Sequence, residues 1–330
     1  MFQENTRLMI DKINSYISNL PLGKEPQGLY APIKYVMALG GKRVRPSLML
    51  LAYKLWKDDE DKILPQAVAL EMYHNFTLLH DDVMDNADMR RGCPTVHKKW
   101  DVNTAILSGD EMLCLAFSMM HSNSSIHDSA VLGKVFECFA RTTSEINEGQ
   151  QYDIDFESRT DVSEAEYIEM IRLKTSVLLA CATKIGALLA DAPAQDVELL
   201  YRFGESLGLA FQLQDDYLDV YGDPATFGKN IGGDIMANKK TFMLINAMQR
   251  AEGEDYANLM GWIEQADPKP QEKIQAVTSL YNKLGIDKLA LQKVESYYDE
   301  ALRALNEVSV SEERKAALKA YADMMLKRNK

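Results

Sequence analysis

The chain has 330 residues and a formal net charge of −12, a balance that works against nucleic acid as its main partner. Its apolar content of 46% and charged content of 26% are those of a globular protein with a substantial core, in one large domain or two smaller ones. No apolar run approaches about 18 uninterrupted residues, so no membrane span is expected.

Helical periodicity dominates, and neither alternating strand patterns nor N-G or D-G hairpin signals are present. In chain order the periodicity predicts helices over roughly 4–19, 31–39, 46–56, 64–85, 102–121, 127–153, 163–190, 194–220, 238–250, 254–264, 270–282, 285–307 and 311–327. Breaks are expected at Gly40-Gly41, Arg91-Gly92-Cys93-Pro94, Ala192-Pro193, Gly222-Asp223-Pro224 and Gly232-Gly233. Ser163 and Glu166 have the spacing of a capping box. Several helices are apolar on more than one face, as at the centre of a many-helix bundle. No linker-like stretch divides the chain, which reads as one all-α domain over residues 1–330. The opening MFQENTRLMIDKI lacks the apolar stretch of a secretory signal. Cys93, Cys114, Cys138 and Cys181 show no C-x-x-C spacing and are expected to be buried, reduced thiols. A cytoplasmic protein is expected.

One acidic signature, D-D-x-x-D, occurs twice, at Asp81-Asp82-Val83-Met84-Asp85 and at Asp215-Asp216-Tyr217-Leu218-Asp219. On a helix, residues four apart share a face, so Asp81/Asp85 and Asp215/Asp219 each present a carboxylate pair. Such pairs repel unless a cation neutralises them. Hard oxygen donors suit Mg²⁺, an ion usually shared between carboxylates and substrate phosphates. His74 falls on the face of Asp81 and Asp85, and Arg90-Arg91-Gly92 follows within a turn or so. Arginines beside carboxylates make sense if a phosphate lies between them. The alternative is a solvated acidic helix end.

In the second acidic helix Gln212, Asp215, Asp216 and Asp219 form a polar stripe on an otherwise apolar surface, which is costly unless satisfied. Glycines and lysines follow, at Gly228-Lys229, Gly232-Gly233-Asp234 and Asn238-Lys239-Lys240. They allow close backbone approach to an anion and supply positive charge. Gly40-Gly41-Lys42-Arg43-Val44-Arg45 is a further basic cluster but not a P-loop. Lys174-Thr175 interrupts an apolar helix, where a buried lysine needs an anionic partner. Glu148 to Asp153 supplies polar groups at a helix end.

The ordered set GGKRVRP, HNFTLLHDDVMD with RRG, GQQYD, KTS, FQLQDDYLD, GK…GGD and NKKT resembles the trans-isoprenyl diphosphate synthases across nearly the whole chain. The resemblance implies the isoprenoid synthase fold, a single-domain helical bundle around a central cavity between the acidic motifs, and a homodimer. It implies condensation of isopentenyl diphosphate with an allylic diphosphate, with three Mg²⁺ ions per active site. Carried over by position, Asp81, Asp85, Asp215 and Asp219 resemble metal ligands, with Asp82, Asp216 and Asp234 in support. Arg90, Lys174, Lys229 and Lys239 resemble allylic-diphosphate contacts, and Lys42, Arg45, His74 and Arg91 the isopentenyl-diphosphate site. Thr175 and Gln212 resemble groups that shield the carbocation, while Gln150 and Asp153 orient Lys174. Lys327-Arg328-Asn329-Lys330 resembles the basic C-terminus that closes over the site in many members.

The growing tail runs beside the first acidic helix towards its N-terminus. With a rise of about 1.5 Å per residue, Phe76 lies about 7–8 Å below the metal face and Tyr73 about 12 Å. An aromatic at Phe76, a small residue at Thr77 and an uninterrupted motif resemble archaeal-type geranylgeranyl diphosphate synthases. Phe76 points about 140° away from Asp81, with Tyr73 and Thr77 nearer the ligand face, so Tyr73 and Phe76 are alternative floors. The expected product is C20, with C15 as the alternative. A terpene cyclase is disfavoured by the second D-D-x-x-D, and a non-catalytic subunit of a heteromeric synthase by the full set of ligands.

Overall fold

The computed structural model describes residues 2–122, 128–223 and 231–326. Its helices cluster into two compact units, Met1–Ala140 with Ala182–Val197 and Val310–Leu318, and Arg141–Cys181 with Glu198–Ser309 and Lys319–Lys330.

The first unit begins with α1 (Phe2–Ser18), α2 (Gln27–Ala38) and α3 (Val44–Tyr53). A 3-10 turn at Glu60–Ile63 leads into α4 (Leu64–Met84). Sequence placed the start of α2 at residue 31, next to Pro32. The helix instead begins at Gln27 and contains Pro32. The ring removes one backbone donor, the partner of the Gly28 carbonyl, and Gly28 lies exposed. α4 is the central helix, and from Pro65 to Tyr73 every residue is buried, as a helix apolar on all sides requires. It packs against α3 and against α6 (Val102–Met120). Asp101 caps α6, its Oδ1 accepting the Thr104 N–H at 2.8 Å. Between α4 and α6 lie α5 (Val96–Lys99) and a small antiparallel hairpin, β1 (Met89–Arg90) and β2 (Cys93–Pro94). The hairpin is absent from the sequence reading, which placed only a break there. Its turn is made by Arg91 and Gly92, at φ 53° and 75°, and four residues are too few for a period-two pattern.

α7 (Ser129–Ser158) runs five residues beyond the expected end because Phe156 is buried in the core of the second unit. Next come α8 (Glu164–Ile171), a π-helical turn at Arg172–Ser176, and α9 (Val177–Leu189). Sequence read these three as one helix. The capping box is present, with Ser163 and Glu166 each bonded to the other's backbone N–H. α10 (Ala194–Tyr221) carries the second acidic motif, and α11 (Gly233–Met236) is a single short turn. α12 (Phe242–Arg250), α13 (Gly253–Glu264), α14 (Pro270–Leu284), α15 (Ile286–Glu307) and α16 (Glu312–Leu326) complete the all-α chain. Residues 238–241, expected to be helical, are not, because the chain turns through Asn238 at φ 51°.

The cysteine expectation fails in part. Cys181 is buried, Cys93 and Cys138 are partly exposed, and Cys114 is exposed. A helical apolar context does not say which face a residue occupies. No helix among the described residues is long and apolar enough to cross a membrane.

Candidate active site

In the first unit the acidic motif lies at the C-terminal end of α4. Asp85 is the C-cap residue, its N–H bonded to the Asp81 carbonyl at 2.8 Å. Asp82 is about 100° around the helix from Asp81 and is 4% exposed. Its two oxygens accept from Arg90 Nε at 2.8 Å each, and Arg90 Nη2 lies 2.7 Å from Oδ1. The same Nη2 lies 3.8 Å from Asp81. A planar guanidinium gripping a carboxylate is the strongest form of this pair. Arg90 is therefore held by the middle of the motif. Asp82, Arg90 and Arg91 also line one small cleft with Tyr35 and Asn75.

Basic residues crowd the same unit. Arg91 Nη1 donates to the Gly40 carbonyl, and a Cβ at Gly41 would lie 3.1 Å from the Arg91 guanidinium. Arg43 is buried at φ 47° and bonds Glu71 Oε1 at 2.7 Å, Asn14 Oδ1 at 2.9 Å and the Met37 carbonyl at 3.1 Å. It is a structural arginine that the sequence shows only as one of a basic cluster, because its side-chain partners lie 28 and 29 residues away in α4 and α1. Arg45 has a buried Nε with no hydrogen-bond partner among the described residues. Burial pushes its guanidinium down to about 10, Glu71 opposes this, and Arg91 adds to it. Burial, then Arg45, Arg91, Arg90 and Arg43, holds the His74 imidazole well below its usual range, so it is neutral at pH 7. Lys42 is exposed.

Tyr73 and Phe76 are both buried, with ring centroids 5.5 Å apart. Phe139 meets Tyr73 edge-on at 5.4 Å, and His80 meets Phe76 at 4.7 Å. Thr77 donates its hydroxyl to the His74 carbonyl at 2.8 Å. The two alternative floors are thus one aromatic stack.

In the second unit the middle aspartate is again bonded within the protein, here by neutral groups. Asp216, 5% exposed, accepts from the Tyr167 hydroxyl and from Gln212 Nε2 at 3.1 Å. Burial and then the Asp234 charge push its carboxyl up to about 8. With its nitrogen turned to Asp216, Gln212 directs Oε1 to the Thr175 hydroxyl at 3.1 Å. Asp219 closes the turn before α11, its Oδ2 accepting the Asp234 N–H at 2.9 Å and its carbonyl the Gly232 N–H at 2.6 Å. Asp215 is half-buried one turn earlier on α10.

Lys174 and Lys239 meet at Asp153, with Nζ to Oδ2 distances of 2.6 Å and 3.8 Å. Burial raises the Asp153 carboxyl, but Lys239 and Lys174 outweigh it and hold the group below its usual range. Gln150 is one turn before Asp153 on α7. The π turn sets where Lys174 and Thr175 emerge. A Cβ at Gly149 would strike the backbone nitrogen of Lys174, and one at Gly208 would lie 2.6 Å from Ser176 Cα. Two glycines thus let α7 and α10 close on the turn, a device often found at functional sites. Sequence holds the glycines but not the contacts. Lys229 and Lys327 to Lys330 lie outside the described residues.

No three His, Cys, Asp or Glu side chains among the described residues form a metal cage by themselves. The donor set suits Mg²⁺ shared with a ligand, since that ion takes one or two carboxylates and fills its remaining positions with phosphate oxygens and water.

Residues 26–281 match the family model described as Polyprenyl synthetase. A geranylgeranyl diphosphate synthase of Methanosarcina mazei is 37% identical over 317 residues, covering 96% of this chain and 94% of the relative. A geranylfarnesyl diphosphate synthase of Natronomonas pharaonis is 38% identical over 292 residues, 83% of each chain. A solved geranylgeranyl pyrophosphate synthase structure superposes with a TM-score of 0.91 at 40% identity, covering 100% of this chain and 99% of that one. The chain belongs to the polyprenyl synthetase family.

Proposed function

We propose that the protein is a short-chain trans-prenyltransferase that joins isopentenyl diphosphate head-to-tail to allylic diphosphates. More particularly, it makes geranylgeranyl diphosphate. The observation that carries this reading is the buried, acceptor-short Nε of Arg45 among Arg91, Arg90 and His74, an anion site beside a D-D-x-x-D motif. Lys42, Arg45, His74 and Arg91 hold isopentenyl diphosphate. Lys174, Lys229, Lys239 and the outer N–H groups of Arg90 hold the allylic diphosphate. Asp81, Asp85, Asp215 and Asp219 hold Mg²⁺, three ions per active site, while Asp82, Asp216 and Asp234 stay in support. When bound, Mg²⁺ neutralises the diphosphate leaving group as a Lewis acid. The Thr175 hydroxyl and Gln212 amide oxygens shield the developing allylic cation. The alkene of isopentenyl diphosphate forms the new bond to C1, and the proton it sheds passes to the departed pyrophosphate. Asp153 and Gln150 orient Lys174.

Tyr73, Phe76 and Thr77 form the pocket floor. Relatives named for C20 and C25 products support a chain beyond C15, while the bulk of the floor supports the C15 alternative. The chain acts as a homodimer in the cytoplasm, and its two compact units form one synthase domain. Incubation with Mg²⁺, labelled isopentenyl diphosphate and dimethylallyl, geranyl or farnesyl diphosphate tests the reading. A C20 product is expected. No condensation with any primer overturns the enzyme, and products beyond C25 overturn the floor. Tyr73→Ala and Phe76→Ala are each expected to lengthen the product, and one that leaves it unchanged does not belong to the floor.

A further inference from the structure

The side chain of Lys273, in the first turn of α14, is among the most thoroughly buried cations of the chain, 1% exposed. A lysine out of water needs an anionic partner or strong acceptors. Among the described residues Lys273 has only neutral ones, Asn238 Oδ1 at 2.6 Å and the Met236 carbonyl at 3.5 Å. Burial alone lowers its ammonium from the usual lysine range. A leucine or methionine would fill the same core position more cheaply, so what the ammonium holds is informative.

It holds the turn that carries Lys239. Met236 ends α11, where a lysine satisfies helix carbonyls left without donors. Asn238 is left-handed at φ 51°, a conformation asparagine tolerates better than most residues. Its side chain is held from both ends, the oxygen by Lys273 and the nitrogen by the Ile263 carbonyl at 3.0 Å. The next residue is Lys239, whose N–H bonds the Asp234 carbonyl at 2.9 Å. Its ammonium approaches Asp153. The neighbouring Ile274 holds the other end of the same segment. Gly232 turns at φ 83°, and a Cβ there would lie 2.7 Å from Ile274. The Gly232 N–H in turn bonds the Asp219 carbonyl. Two consecutive residues of α14 therefore clamp both ends of the Gly232–Asn238 turn.

We propose that Lys273 is a positioning residue for the allylic-diphosphate and Mg²⁺ half of the reaction, acting through Asn238 to set Lys239 and the Asp219–Asp234 turn. This rests on the prenyltransferase reading above. Hydrogen bonds to charged groups are worth about tenfold in an equilibrium constant or more, and Lys273→Met removes two of them.

The test is steady-state kinetics of the full-length chain, varying farnesyl diphosphate, isopentenyl diphosphate and Mg²⁺ separately. Lys273→Met is expected to raise the KM for farnesyl diphosphate and the half-saturating Mg²⁺ about tenfold, with the KM for isopentenyl diphosphate within about twofold of wild type. Added to Lys239→Ala, it should worsen those constants by less than it does alone, since both act on one contact. All three constants unchanged, or all raised together, or full additivity with Lys239→Ala, overturns the inference. If Lys273→Met does not fold, Asn238→Ala carries the same readout with the same outcomes. A wild-type protein that condenses no primer instead defeats the underlying function, which separates the two failures.

Discussion

The two D-D-x-x-D segments share a spacing but not an environment. Around the first, Asp82 is gripped by Arg90, and burial, then Arg45, Arg91, Arg90 and Arg43, keeps His74 neutral. Around the second, Asp216 is held by a phenol and an amide, and the neighbouring Asp234 charge helps push its carboxyl up to about 8. The first region has an excess of buried donors, and the second an excess of carboxylates with two lysines gathered at Asp153. One signature thus lies in a donor-rich region and in a carboxylate-rich one. The middle residue of each copy is bonded within the protein, and the proposed function assigns the first and fifth to Mg²⁺.

That division is open to direct challenge. Asp81→Ala and Asp215→Ala should each lower kcat/KM about 10³-fold, whereas Asp82→Asn should cost less activity and more stability, and Asp216→Asn less activity with no loss of stability, because burial disfavours its charged form. Parallel kinetics and urea denaturation decide this, and equal activity losses across each motif would erase the distinction. Breaking the buried Arg43–Glu71 pair should be nearly as severe. Glu71→Ala leaves Arg43 uncompensated, so about 3–5 kcal/mol of unfolding free energy should disappear. An unchanged denaturation midpoint would show that Arg43 is not held as described.

Beside Lys174, Gly149→Ala drives a methyl into the π turn and should destabilise by about 1–3 kcal/mol. The KM for allylic diphosphate should rise while that for isopentenyl diphosphate stays nearly constant. The smallest effect is the pH response of His74. Its imidazole is depressed in the folded state, so the unfolded chain takes up the proton first, and stability present above about pH 6.5 is lost on acidification. Wild type should lose up to about 1.4 kcal/mol per pH unit more than His74→Gln between pH 6.5 and 5.5. Parallel denaturation curves for the two would contradict the burial of His74 beside the arginines.

Sequence alone determined the helical class, most helix centres, the two acidic motifs and the residues that resemble a prenyl diphosphate synthase. These are readable because periodicity, caps and i, i+4 faces involve neighbours within a turn or two. It could not choose between Tyr73 and Phe76 as a floor, since ideal angles on one helix do not reveal that the two rings meet each other, with Phe139 of another helix edge-on against Tyr73. It read α8, the π turn and α9 as one helix, because the contacts of that turn with Gly149 and Gly208 come from residues more than 20 positions away. It showed Arg43 only as one of a basic cluster and gave no reason to notice Lys273. What such buried cations do depends on partners 28 and 35 residues distant, and only the tertiary structure decided that one pairs with Glu71 beneath the basic cluster and the other holds the turn bearing Lys239.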